Sequence, residues 1–378
     1  MTNGNTPSDP ADSAESELEN VPSKSDANHN NQMQREKLSR LKQFALKILK
    51  YGIAVGAFAY ILQEIDHQRI ITLLASLDVI VLVAIIVITI LEFGSRFSSW
   101  HVLLNGQNKT RFLTAVYIDL VIKSINHVVP SKVSGHSVAP VVIHHYTDTD
   151  WPEAVTIAGL NTALYAILYG TITLIGSGLL ATKLPRGLLV IIVLSTAMYL
   201  TAGIVVLLAG RRLDSASVVF SRLQIFIKRL PAVGEKAASL VSKLPSFTSE
   251  SAALFRNLSA NPTVVIPYAL AWAGTLMIFP GLRVWLLFEK LGSTFTPAWL
   301  LPLVLVMAYS VTILPLTPGG VGVAEASATL VFVSLGVSEE VAVAAILIDR
   351  SLGVYLPAFL GWFPMMNLNL ADMINRAR

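Results

Sequence analysis

Apolar residues in this chain fall in long unbroken runs rather than in the half-polar periodicities of soluble domains. Runs near 44–62, 79–100, 155–182, 188–209, 264–288 and 341–363 approach or exceed the roughly 20 residues a helix needs to cross a bilayer. They predict about six full transmembrane helices. Two further apolar stretches, 112–146 and 298–336, are interrupted by Pro and Gly near 130–135 and 315–322, and their halves are too short to cross alone. The second interruption reads Pro315-Leu-Thr-Pro-Gly-Gly-Val-Gly-Val-Ala-Glu325. Its prolines remove backbone donors and its glycines admit φ > 0, so the helix must break at membrane depth. Non-helical backbone at that depth survives only when packed in protein or lining a polar cavity.

The charges between runs order the topology. Arg35, Lys37, Arg40, Lys42, Lys47 and Lys50 precede the first run and place that end in the cytoplasm, whereas 63–78 carries no basic excess. Lys109 and Arg111 follow the second run, and a strongly basic stretch occupies 211–262. If both are cytoplasmic, the crossings at 155–182 and 188–209 already complete a return trip, so 112–146 must enter and leave on the same side. The same parity makes 298–336 enter and leave from outside. The expected fold is thus an all-α polytopic membrane protein with two opposed re-entrant helical hairpins. Residues 1–43 form a disordered cytoplasmic tail and basic pre-membrane segment, 44–210 a first membrane half with hairpin 112–146, 211–262 a basic amphipathic segment on the cytoplasmic surface, and 263–378 a second half with hairpin 298–336. Trp100 and Pro130 keep the same separation as Trp285 and Pro315, and Gly135 and Gly320 preserve the offset. This suggests an inverted repeat of the kind that places transporter sites near the midplane.

Composition narrows the function. The 378 residues are 53% hydrophobic and only 14% charged, with net charge +4 and no cysteine, which excludes disulfides and thiolate chemistry. No basic stripe interleaved with aromatics points to nucleic acid. Neither a P-loop nor a zinc-protease motif is present, which argues against an ATP-driven machine, and no cofactor or metal is expected. His144, His145, Asp148 and Asp150 have metal-ligand chemistry but stand in an interfacial loop, and the two adjacent histidines point apart on a helix.

Charges within apolar runs are costly and therefore mark candidate sites. The helix restarting at Val321 presents N–H groups and a positive dipole end to an anion, with Gly319, Gly320 and Gly322 permitting close approach. Arg350 can grip phosphate or carboxylate bidentately, and Glu325 is a partner or proton site; the two could equally form a bridge locking hairpin to span. Lys123, His127, Lys132 and His136 could surround an anionic headgroup, with Asp119 holding Lys123 four residues away, or Asp119 and Lys123 could be a purely structural pair. Glu92 and Arg96 are spaced for an ion pair. Asn161 and Arg283 are weaker candidates, and Arg283 could snorkel to an interface.

The residues Leu314-Pro-Leu-Thr-Pro-Gly-Gly-Val-Gly-Val-Ala-Glu325, Gly336-Val337, Asp349-Arg350-Ser-Leu-Gly353, Leu356-Pro357 and Gly361, with Asn126-His-Val-Val-Pro130 to Gly135 before them, resemble the lysylphosphatidylglycerol synthase transmembrane-region, or flippase-like, family. Where that family's first motif usually continues with an acidic residue and an arginine, this chain has His136 and uncharged residues. The resemblance covers most of 44–365. It implies a protein that moves or handles lipids with anionic headgroups, a stand-alone member without a fused synthase domain, in a prokaryotic plasma membrane with both termini cytoplasmic. A lipid translocase for an anionic phospholipid or polyprenyl-phosphate is the leading expectation. The competitors are a polyprenyl-phosphate-sugar glycosyltransferase using Glu64 and Asp66, and a non-transporting partner of a separate lipid or glycan synthase.

Overall fold

A computed structural model describes residues 77–128, 132–213, 234–314 and 316–366. The expected N-terminal tail, the run at 44–62, Glu64 and Asp66, Pro130, Pro315, the basic stretch 214–233 and the C-terminal residues lie outside them. Every element among the described residues is helical. Five helices are long and apolar enough to span a membrane, and the chain is an all-α polytopic membrane protein.

Helix α1 (Val79–Asn105) shows how the sequence sorts its faces. Val81, Ile85, Ile88, Glu92, Arg96, Trp100 and Leu103 recur at three- or four-residue steps and are buried, while Ile80, Val83, Val87, Ile90 and Leu91 stay exposed on the other side. In water the exposed stripe would be a liability; against lipid tails it costs nothing, and the two charges fall on the inner stripe. Two shorter helices follow, α2 (Phe112–Val128) and α3 (Lys132–Thr147). At about 1.5 Å per residue each is roughly 25 Å long, short of a hydrocarbon core of about 30 Å. Both ends of the pair lie together: Tyr117 of α2 stacks on Tyr146 of α3 at 5.9 Å. Asn108, just before α2, donates through Nδ2 to both carboxylate oxygens of Glu153, just after α3, at 3.0 Å.

Helices α4 (Trp151–Leu180) and α5 (Arg186–Arg211) form a long antiparallel pair. Their closeness depends on small residues, since a β-carbon on Gly170 would meet Leu200 at 2.7 Å and one on Gly203 would meet Ile167 at 2.7 Å. Helix α6 (Gly234–Ala260) belongs to the segment expected on the membrane surface. Its last part instead spends its apolar face on protein, with Ala252, Phe255 and Leu258 buried. Phe255 fills the space left by Gly210, and Arg256 Nη1 donates to the Arg211 carbonyl at 3.0 Å.

Helix α7 (Pro262–Ala273) starts under an Asn261 cap, whose side chain accepts from the Thr263 amide at 3.0 Å. It continues through a π-turn, Gly274–Ile278, into α8 (Phe279–Lys290). Pro280 accounts for the turn: it has no N–H for the carbonyl four residues back and its ring collides with that carbonyl in a regular helix. The ends of α1 and α7 meet around a cavity of about 290 Å³ lined by His101, Asn105, Asn261 and Thr263.

A second pair of short elements comes next. A 3₁₀ turn leads into α9 (Leu301–Tyr309) and a further turn to Ile313; after the break, α10 runs Val323–Ser334. Phe332 near the end of α10 packs edge-on against Phe288 and Phe295 at 5.1 and 5.9 Å, so this pair begins and finishes near the C-terminal end of α8. That is the opposite end of the α7–α8 span from the one the α2–α3 pair uses. The turn Pro318–Gly320 packs against α2. The last span consists of α11 (Glu339–Arg350), a π-turn Ser351–Tyr355, α12 (Leu356–Leu360) and α13 (Trp362–Met366).

Two apolar clusters hold these elements. One gathers Val81 and Ile85 with α8 to α11; the other gathers Trp100, Leu103 and Leu104 with α2, α3, α4 and α7. Between them, at the level of residues 89–96 of α1, the interior is ionic.

Candidate functional site

The ionic layer is built from α1, α8, α10 and α11. Arg283 of α8 is fully buried. Its Nη1 donates to Glu92 Oε2 at 2.6 Å and to Thr89 Oγ1 at 3.3 Å. Its Nη2 and Nε donate to Asp349 Oδ1 at 2.5 and 3.0 Å. The expectation that Arg283 snorkels outward is therefore overturned: its guanidinium joins carboxylates from the first and last described spans. The other oxygen of Asp349 accepts from the Tyr309 hydroxyl at 2.9 Å. Glu92 Oε1 accepts from Arg96 Nη2 at 2.9 Å, the expected four-residue pair.

Arg96 Nη2 also donates to the Gly353 carbonyl at 2.6 Å. The sequence explains why that carbonyl is available. Pro357 stands four residues later without an N–H, and the helix opens into the π-turn before it. Gly353 must be small here, because a β-carbon would stand 3.0 Å from both Arg283 Nη2 and Glu92 Oε1.

Arg350, at the end of α11, forms the second centre. Its Nε donates to Glu325 Oε1 at 2.9 Å, and its guanidinium carbon lies 5.2 Å from the Tyr309 ring centroid and 5.7 Å from that of Tyr355. Two electron-rich rings thus bracket the cation. The Tyr355 hydroxyl donates to Glu325 Oε1. Glu325 Oε2 accepts from the Gly322 amide at 2.7 Å. Gly319, Gly320 and Gly322 adopt φ of 62, 76 and 79°, the region an L side chain avoids, and a β-carbon on Gly320 would meet Thr312 at 2.8 Å. Thr317 closes the turn by donating to the Val321 carbonyl at 2.8 Å. At the helix end expected to present N–H groups to an anion, the Gly322 amide is taken by an internal one: Glu325 reaches back to cap it and holds Arg350 as well.

Three buried arginines and three buried carboxylates thus form a neutral layer. Not all its donors are used. Arg350 Nη2 and Arg96 Nε and Nη1 have no partner among the described residues, although both side chains are buried. A buried unsatisfied donor costs on the order of 1–3 kcal/mol, more when charged, so such atoms mark a place for water or an anion. Tyr165, Tyr169, Tyr199 and Trp272 make an aromatic wall nearby, with Tyr169 stacked on Tyr199 at 4.5 Å and edge-on to Trp272 at 6.0 Å. Lys123, Tyr165 and Tyr309 are only partly buried.

Asp119 Oδ1 accepts from Trp100 Nε1 at 3.1 Å, and Lys123 lies within electrostatic reach of Asp119, Arg96, Arg350 and Glu92. The side chains of His127, Lys132 and His136 lie outside the described residues. Asn161 is structural: its Oδ1 accepts from the Tyr268 hydroxyl at 2.9 Å and ties α4 to α7. His144 stacks on Trp151 and its Nδ1 bonds the Thr149 carbonyl at 2.5 Å. No cluster of three His, Asp or Glu side chains is placed to hold a metal among the described residues. Arg96, Tyr309 and Tyr355 were missed as site residues; the signal for Arg96 was its place on the buried stripe of α1, while nothing in the sequence distinguished the two tyrosines.

Fold and site together define a polytopic helical membrane protein whose interior carries a neutral layer of paired charges beside a helix break. The family model described as the lysylphosphatidylglycerol synthase TM region matches residues 47–361, and the chain belongs to that family, whose members are integral membrane proteins related to lipid synthesis or translocation. No curated protein and no solved structure matches it.

Proposed function

We propose that this protein is a lipid translocase that binds an anionic phospholipid or polyprenyl-phosphate headgroup at mid-depth, where two re-entrant helix pairs enter from opposite faces. The observation that carries the reading is Arg350: a buried guanidinium clamped by two tyrosines beside the Gly-rich break, with Nη2 unpartnered. Supporting it, the α2–α3 pair and the α9–α10 pair each start and finish at one end of the bundle, at opposite ends, and the 318–320 turn reaches α2. The tyrosines beside the ionic layer suit a group that must be dehydrated without losing polar partners. In this reading the headgroup phosphate takes up Arg350 Nη2 and competes with Glu325 for the rest of the guanidinium. The carboxylate is a resident counter-ion that holds the site when no lipid is bound. The membrane is the plasma membrane of a prokaryote with both termini cytoplasmic, and the two halves form an inverted repeat whose relative rocking opens the site to each face.

The test is transfer of headgroup-labelled phosphatidylglycerol across vesicle membranes containing the protein. Arg350→Gln, alone and combined with Glu325→Gln to keep the layer neutral, lowers the rate at least about tenfold, since a charge-assisted hydrogen bond is worth roughly 1.5–3 kcal/mol. Folded variants that transfer at the parental rate reject the proposal.

A further inference from the structure

The leading site candidates lie on the two interrupted stretches and the last span, yet Arg96 of α1 has two unpartnered nitrogens where Arg350 has one. It is only 4% exposed. Nη2 is fixed by two acceptors, Glu92 Oε1 and the Gly353 carbonyl, while Nε and Nη1 have none among the described residues. Phe93 covers the guanidinium at 5.5 Å. A structural arginine in a membrane interior would be expected to use its whole fork, because each idle N–H is desolvated at a cost. Here the fork is anchored at one nitrogen and the remaining N–H groups are left open.

The anchor fixes where those groups point. The Gly353 carbonyl lies three residues beyond Arg350 on the same span, so Arg96 is held within a turn of the Arg350 centre. A chain of contacts joins the two centres: Arg96 holds Glu92, Glu92 holds Arg283, Arg283 holds Asp349, and Asp349 accepts from Tyr309, whose ring lies against Arg350. Unpartnered donors of two cationic forks, contributed by the first and last described spans, therefore belong to one polar layer.

We propose that Arg96 is a second ligand of the phosphate, so that the site grips one phosphate group between α1 and the last span rather than from the last span alone. This rests on the preceding reading that the Arg350 site takes a phosphate-bearing group. It adds that recognition is shared by two arginines, and that loss of either weakens binding without the other being displaced. The Arg96–Glu92 pair is pre-positioning, as it holds the fork while leaving Nε and Nη1 to the ligand.

The experiment uses the full chain in detergent micelles, with tryptophan fluorescence reporting titration with dihexanoyl-phosphatidic acid, inorganic phosphate or dihexanoylglycerol. The parental protein should bind the phosphatidic acid or phosphate but not the neutral diglyceride. Preference for the first over the second identifies a lipid source, and equal binding a free phosphate. Arg96→Lys, which keeps the charge beside Glu92 but replaces the fork by one ammonium, should weaken binding about tenfold. Binding unchanged within twofold in folded Arg96→Lys, while Arg350→Gln loses it, overturns the role of Arg96 and leaves the headgroup site standing. A parental protein that binds none of the probes removes both. If Arg96→Lys does not fold, modification of the parental protein by phenylglyoxal decides: the bound phosphate group should slow modification of the Arg96 peptide at least fivefold, and an equal rate with and without it rejects the proposal.

Discussion

At the scale of single residues, the fully buried Arg283 carries the greatest consequence for stability. It serves Glu92 and Asp349 at once, so Arg283→Met leaves Asp349 with the Tyr309 hydroxyl and no cation, and Glu92 with Arg96 alone. Breaking one buried pair costs about 3–5 kcal/mol, and this variant should show a loss of at least that size in denaturant unfolding in micelles, or fail to accumulate. Glu325 acts differently. Its carboxylate occupies both the helix end and the guanidinium that a phosphate would use, and the layer is neutral while it is charged. Glu325→Gln removes the competitor and leaves a net positive site. Affinity for a short-chain anionic phospholipid should rise about tenfold, which corresponds to one charge-assisted contact no longer contested. Equal or weaker affinity in a folded variant argues that Glu325 helps the ligand instead of opposing it.

At the scale of elements, prolines set the geometry that the charges use. Pro357 frees a carbonyl and the π-turn before it brings Gly353 against Arg283 and Glu92. Gly353→Ala should lower the unfolding midpoint by several degrees, through roughly 1–3 kcal/mol of overpacking. Gly178→Ala, in α4 with open space around it, should be neutral or slightly stabilising. Much of this level was readable from the sequence. The run lengths located the five described spans, and the Pro and Gly positions located the second interruption, because those residues constrain the backbone there; the first was drawn too wide, since α3 runs helically from Lys132 through Gly135. What was not readable is which charges meet. Glu92 and Arg96 announce a local pair by their spacing, but Arg283 looked like a side chain bound for an interface. Its partners are 191 and 66 residues away, and no local pattern encodes a contact at that separation. Tyr309 and Tyr355 were equally silent, since a tyrosine in an apolar run is ordinary until an arginine is seen between two of them.

At the scale of the molecule, the arrangement of helix ends predicts sidedness. The chain has no cysteine, so single cysteines report directly. Lys109→Cys and Asp150→Cys should react with an impermeant maleimide from one face, and Thr294→Cys and Ser338→Cys from the other. Reaction of the first two from opposite faces would mean that 112–146 crosses outright, and the opposed-pair architecture would be lost with it. The hydrogen bond from Arg96 to Gly353 spans 257 residues of chain, and Arg283 joins Glu92 to Asp349. During synthesis, α1 therefore enters the bilayer long before the groups that neutralise and anchor its polar stripe exist. A nascent chain stopped at residue 338 has four ionisable side chains of the layer, Glu92, Arg96, Arg283 and Glu325, facing an unfinished interior, with Arg283 lacking Asp349 and Glu325 lacking Arg350. Quality-control proteases that survey half-inserted helices would have such a chain exposed to them until its final span arrives, which makes completion of the last helix the step at which this membrane protein becomes durable.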